Sequence, residues 1–161
     1  MTIGFILNGE DVVVQSTADR RLLDILRDNF KLLGAKAGCR TGRCGSCAVI
    51  FNGKVVPSCL LPAFRVRGGE IITIEGFAQT DEYQDIVSGF SRVGLETCGY
   101  CDTAKIMATE ALLDRNLRPS APDVLAGFDG VVCRCTEPGI LVEAVLAAAD
   151  IRQRRLYGRN A

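Results

Sequence analysis

Eight cysteines are the residues of this sequence most able to do chemistry, and they fall into two groups of four. Three of the first group crowd into "CRTGRCGSC" as Cys39, Cys44 and Cys47, and Cys59 follows in "PSCLL". The second group is Cys98 and Cys101 in "TCGYC" with Cys133 and Cys135 in "CRC". Thiols either pair as disulfides or, as thiolates, hold soft metals. The opening "MTIGFILNGEDVVV" shows no basic n-region, long apolar h-region or small-residue cleavage site, so a cytoplasmic setting is expected. Under reducing conditions metal binding is the better use of the eight thiols. Histidine is absent, which excludes His-based nucleophile relays, His-ligated zinc or haem, and Rieske centres from this chain.

The C-x4-C-x2-C spacing of Cys39, Cys44 and Cys47 is the plant-type ferredoxin spacing for a 2Fe-2S cluster, with Cys59 as fourth ligand. One loop can serve both irons only if its backbone curls around the sulfides with N–H groups aimed inward. Gly34, Gly38, Gly42 and Gly45 permit such a curl. Inward N–H groups favour the reduced cluster and raise its potential, and Arg40 and Arg43 could act in the same direction. A solvated loop or a partner contact is the plainer role for those arginines. Zinc sites usually combine two separated cysteine pairs, so three thiols in one glycine-rich loop fit zinc poorly. The second group, taken alone, suits either metal. A thioredoxin-like reading of "CGYC" would need a βαβ unit, and none is legible. Both of its pairs fall where helices begin, and helix dipoles there favour the thiolate form.

The elements that must position these thiols differ between the two halves. "IGFIL" and "DVVV" form strands joined at Asn8-Gly9, and "AVIF" and "KVVPSCLL" repeat the pattern around Asn52-Gly53. "EIITIEG" adds another strand, and "RRLLDILRDNF" is an amphipathic helix with Arg20 and Arg21 on its exposed side. The result is a mixed sheet of about four or five strands crossed by one helix. The segment "EGFAQTDE" then marks a change to helical spacing. Apolar residues predict helices around Ile86 to Val93 and Ala104 to Leu112. Ser120 and Asp123 suggest a capping box on a short third helix. Thr136 as N-cap and Pro138 in the first turn open a last one.

The motifs "CRTGRCGSC", "SC", "CGYC" and "CRCT", in that order, resemble the small iron-sulfur subunit of the molybdenum hydroxylases, the xanthine dehydrogenase family. The resemblance spans nearly the whole chain. It implies an α+β protein. An N-terminal β-grasp, plant-type ferredoxin-like domain (residues 1–76) would hold one 2Fe-2S cluster through Cys39, Cys44, Cys47 and Cys59. A C-terminal four-helix-bundle domain (residues 77–161) would hold a second through Cys98, Cys101, Cys133 and Cys135. It further implies two partners: a large subunit that carries molybdopterin next to the helical-domain cluster, and an FAD-binding subunit or other acceptor on the ferredoxin-like side. Electrons would cross both clusters, and substrate chemistry would lie on another chain.

The chain departs from that family's pattern at two places. Thr97 stands where a pterin-bonding glutamine is usual, and a threonine hydroxyl reaches less far, so Thr97 is left out of the site. "GVVCRCTEPGI" replaces the usual "GNLCRCTGY". Tyr100 is expected as a partly buried aromatic of the bundle. A free-standing two-cluster carrier is the alternative, and an all-cysteine zinc interaction module stands third. Nineteen basic and nineteen acidic side chains cancel, which suggests no nucleic-acid partner and counts weakly against a steered carrier. No apolar run approaches the roughly 18 residues of a transmembrane segment. The apolar "VLAAADI" suits either a bundle core or an obligate interface.

Overall fold

The computed structural model describes residues 1–158. Asn8 and Gly9 take positive φ (52° and 86°), so the chain reverses within two residues and pairs β1 (Thr2–Leu7) antiparallel with β2 (Glu10–Gln15). Asn52 and Gly53 repeat the device between β3 (Ala48–Phe51) and β4 (Lys54–Pro57). β5 (Glu70–Ile72) lies between the hairpins, parallel to β1 and antiparallel to β3, which gives the order β2-β1-β5-β3-β4.

Two expected strands are shorter than their sequence patterns. β4 stops at Pro57, which has no N–H to continue the ladder, and Ser58–Leu60 forms a 3-10 turn. β5 stops because Thr73 turns aside, its N–H donating to Asn8 Oδ1 at 2.8 Å, and Ile74–Phe77 then makes a one-turn helix, α2. Arg20 and Arg21 precede α1 (Leu22–Asp28) instead of lining it. Arg21 is the extended residue before its first turn, and Arg20 pairs with Asp28 at 2.7 Å.

The sheet is covered on both faces. On one, Ile3, Phe5 and Leu7 of β1 pack against Leu22, Leu23, Ile25 and Leu26 of α1. On the other, Ala48, Ile50, Val55 and Ile72 join the core of the helical half. That half comprises α3 (Asp81–Arg92), α4 (Asp102–Arg115), α5 (Ala121–Gly127) and α6 (Pro138–Tyr157). Thr80 caps α3 by accepting from the Tyr83 N–H, and the Ser120–Asp123 capping box opens α5 as its sequence predicts. The N-cap of α6 is Glu137, not Thr136, whose hydroxyl faces elsewhere. Within "VLAAADI", Val145, Ala148 and Ala149 are buried in the bundle, so the core accounts for those three, while Leu146 is exposed.

α3 and α6 approach so closely that a Cβ on Gly89 would stand 2.4 Å from the Ala148 nitrogen. Beyond this contact Arg152, 3% exposed, donates to Asp85 (3.3 Å), Glu110 (2.7 Å) and the Glu82 carbonyl (2.9 Å). Arg155 adds a second bond to Asp85 at 2.8 Å. A buried guanidinium is tolerable only with this many acceptors.

Gly89→Ala gains about 1 kcal/mol of helix propensity, but the atom it meets is backbone. A net loss of about 1–3 kcal/mol is expected in urea unfolding. Arg152→Met should cost about 3 kcal/mol at pH 8, because it strands the Glu110 carboxylate. Burial already raises the Glu110 pKa, against the opposing effect of Arg152. The folded variant therefore binds a proton there more readily than the unfolded chain, and its deficit relative to the native protein should shrink as pH falls toward 5.

Candidate metal centres

Cys39, Cys44 and Cys47 of the first group lie between α1 and β3, in a loop wrapped around sulfur, and Cys59 lies in the 3-10 turn after β4. Cys39 Sγ accepts the backbone N–H groups of Thr41 (3.3 Å), Arg43 (3.3 Å) and Cys44 (3.4 Å). Cys44 Sγ accepts the Cys39 N–H at 3.4 Å. This is the inward ring of donors that the spacing requires. Gly42 and Gly45 supply the positive φ (78° and 74°), and a Cβ on Gly38 would come within 2.9 Å of Cys44 Sγ. Gly34 plays a different part. It sits outside the curl, where its N–H donates to Glu75 of α2 (2.8 Å) and its carbonyl accepts from Thr103 of α4 (2.9 Å).

Cys39 is exposed, whereas Cys47 and Cys59 are buried beneath the loop. Hydrogen bonds from the Thr41 hydroxyl and from backbone N–H groups hold the Cys39 thiol down at about 5, so it is a thiolate at neutral pH. Burial, joined by the neighbouring Cys47, pushes Cys59 up to about 11. Arg40 Nη2 donates to both carboxylate oxygens of Asp24 of α1 (2.6 and 2.7 Å), so it braces the loop from outside.

The second group converges from two helix starts, as its sequence predicts. Cys101 immediately precedes α4, and Cys135 stands three residues ahead of α6. Sulfur–sulfur contacts run from Cys101 to Cys133 (3.1 Å), Cys133 to Cys135 (3.3 Å) and Cys135 to Cys98 (3.4 Å). The Tyr100 N–H lowers the Cys98 pKa. Burial opposes ionisation of Cys133, but contacts from Cys101 and Cys135 outweigh it and bring the thiol to about 6. Burial raises Cys101 to about 12. A set of four cysteines, some of them ionised, suits a 2Fe-2S cluster or zinc.

Two side chains here escape a motif search. Lys105 is wholly buried one turn beyond Cys101, and its Nζ donates to Thr136 Oγ1 at 2.6 Å. The signal was a lone charge in "TAKIMAT", four residues after a cysteine and therefore on the same helix face. Tyr100 is 52% exposed, against the expectation of a partly buried bundle aromatic, and its hydroxyl lies near Gly38 of the first loop. Thr97 is exposed and shares a shallow cleft with Tyr83, Phe90 and Asp102.

The two groups touch. The Val132 N–H donates to the Cys44 carbonyl at 3.2 Å, which links a residue beside Cys133 to a cysteine of the first loop. A Cβ on Gly45 would lie 2.7 Å from the Gly130 carbonyl oxygen, so the loops meet backbone to backbone.

Comparison with known proteins separates the metals. Residues 5–70 match a 2Fe-2S iron-sulfur cluster binding domain, and residues 73–146 match a second 2Fe-2S binding domain. The small FeS subunit of nicotinate dehydrogenase from Eubacterium barkeri is 39% identical over 136 residues, covering 84% of this chain and 87% of its own. The chain belongs to the iron-sulfur small subunits of the molybdenum hydroxylase family. Solved structures of that family agree. Quinoline 2-oxidoreductase from Pseudomonas putida 86 superposes with a TM-score of 0.87 at 31% identity, covering 98% of both chains. Aldehyde oxidoreductase from Desulfovibrio gigas gives 0.85 at 35% identity over 96% of this chain, which corresponds to 17% of that longer one. As a family member the chain is the iron-sulfur subunit of an oxidoreductase, and the zinc alternative falls. Among the described residues no helix is long and apolar enough to cross a membrane.

Gly45→Ala would force the two loops apart and place alanine at φ 74°. The Val132 amide should then exchange with deuterium roughly tenfold faster, corresponding to about 1.4 kcal/mol of lost local protection, while amides of β1 and β2 keep their native rates.

Proposed function

We propose that this chain relays single electrons through two 2Fe-2S clusters, one held by Cys39, Cys44, Cys47 and Cys59 and the other by Cys98, Cys101, Cys133 and Cys135. Each cluster, when bound, accepts and returns one electron without exchanging its ligands. The division of labour falls near residue 76, with the sheet domain serving the first group and the helical domain the second. The observation that carries this reading is the contact between the groups, with the Val132 N–H on the Cys44 carbonyl at 3.2 Å. A relay needs its two sites to be neighbours, and at Gly45 the loops meet with no room for a side chain.

The residues around each group prepare it for the task. Backbone donors to Cys39 offset the negative charge of thiolate ligands, while Cys47 and Cys59 exclude water from the inner side of the loop. At the second group Cys98 and Cys135 face outward, flanked by exposed Tyr100 and Val132. Aromatic and apolar groups around an open metal site support docking on a partner chain. By the family resemblance that partner is the molybdopterin-bearing large subunit, and the acceptor beyond the first group is an FAD-binding subunit. The direction of flow is then from the helical domain to the sheet domain. Balanced net charge and exposed apolar residues favour a lasting complex over a free carrier.

Cys47→Ser should remove about half the iron and one EPR signal while the other signal persists, and Cys135→Ser should do the converse. Loss of both signals from a folded single variant would refute two separate clusters. Co-purification of the native chain with molybdopterin-bearing and FAD-bearing subunits checks the partners, and a lone, active, diffusing monomer would count against them.

A further inference from the structure

Lys105 presents a problem of charge. It is 0% exposed, and among the described residues no carboxylate forms an ion pair with it. Its one oxygen partner is the neutral hydroxyl of Thr136, 2.6 Å from Nζ. A buried ammonium with no counter-anion costs several kcal/mol, so a folded chain keeps one only where negative charge is supplied. The geometry says where. Lys105 follows Cys101 by one turn of α4, and its N–H donates to the Cys101 carbonyl at 3.1 Å. Thr136, which fixes the ammonium, adjoins Cys135 in sequence, and its hydroxyl lies 4.0 Å from Cys135 Sγ. The missing anion is therefore the thiolate set itself.

We propose that Lys105 is the buried counter-charge of the helical-domain cluster and raises its reduction potential. The proposal rests on the reading that Cys98, Cys101, Cys133 and Cys135 hold a 2Fe-2S cluster. A cluster with four thiolates is anionic when oxidised and gains a further negative charge when it takes an electron. A fixed cation beside it stabilises the reduced form more than the oxidised form. The step adds one electron and no proton. The first loop works differently: there the donors are backbone N–H groups on Cys39, and the nearby Arg40 is engaged by Asp24. The effect of Lys105 is therefore confined to one of the two centres. A purely structural lysine, a strut between α4 and residue 136, would leave the potential alone when replaced by a neutral side chain of similar length.

The test is an EPR-monitored dithionite titration of the full chain with both clusters, comparing the native protein with Lys105→Met, Lys105→Gln and Lys105→Arg. In both neutral variants reduction of the helical-domain cluster should become about tenfold less favourable, a fall of about 59 mV for one electron. The other cluster should titrate as in the native protein, and Lys105→Arg should recover most of the shift. An unchanged helical-domain potential in a neutral variant with full iron content overturns the proposal. So does a fall with Met but not with Gln, which would assign the effect to a hydrogen bond instead of charge. Should the neutral variants lose iron, the native chain labelled with ε-15N-lysine decides. Nitrogen coupling on the reduced helical-domain signal supports the proposal, and its absence overturns it. Failure of the ligand reading looks different, because Cys135→Ser would then leave both EPR signals in place.

Discussion

The structure depends on one constraint: two loops, each crowded with sulfur, must touch through their backbones. Gly45 has no room for a side chain against the Gly130 carbonyl, and the Val132 N–H reaches the Cys44 carbonyl across the junction. Sulfur-rich loops have few apolar atoms to bury, so they hold their shape mainly through hydrogen bonds and through the elements on either side. The rest of the fold supplies those elements. The sheet fixes Cys47 just before β3 and Cys59 just after β4, and α4 and α6 grow out of the two halves of the second group.

Packing on both faces of the sheet makes the two domains a single scaffold. α1 covers one side, while β3, β4 and β5 lend residues to the helical core on the other. The helices in turn are tied far from the sulfurs, where Arg152 and Arg155 share Asp85 and reach Glu82 and Glu110. These ion pairs join α3, α4 and α6 to one another. The two ends of the bundle thus have different tasks, polar locking at one and thiolate presentation at the other.

Much of this was legible in the residues. Asn8-Gly9 and Asn52-Gly53 marked both hairpins because few other dipeptides accept positive φ twice, and Ser120 with Asp123 marked the start of α5. The cysteine spacings announced two four-thiol groups, and the structure brings each group's members to neighbouring loops. Other features depended on contacts between distant segments. The β-branched run "EIITIEG" reads as one strand, but Asn8 captures Thr73 and ends it early. Thr136 looked like an N-cap by its position before Pro138, yet a lysine from α4 takes its hydroxyl. Gly34 resembled another loop glycine until α2 and α4 closed on it. In each case a long-range partner overrode a local preference.

The grip on Gly34 has a wider consequence. Its N–H is taken by a carboxylate of α2 and its carbonyl by a hydroxyl of α4, so the segment leading into the first cysteine loop is clamped to both sides of the domain junction. There is no hinge at that point. Tunnelling falls off steeply with separation, and two hydrogen bonds at this position oppose any change in the gap between donor and acceptor. Passage between the two sites would then depend less on any swing of one domain against the other.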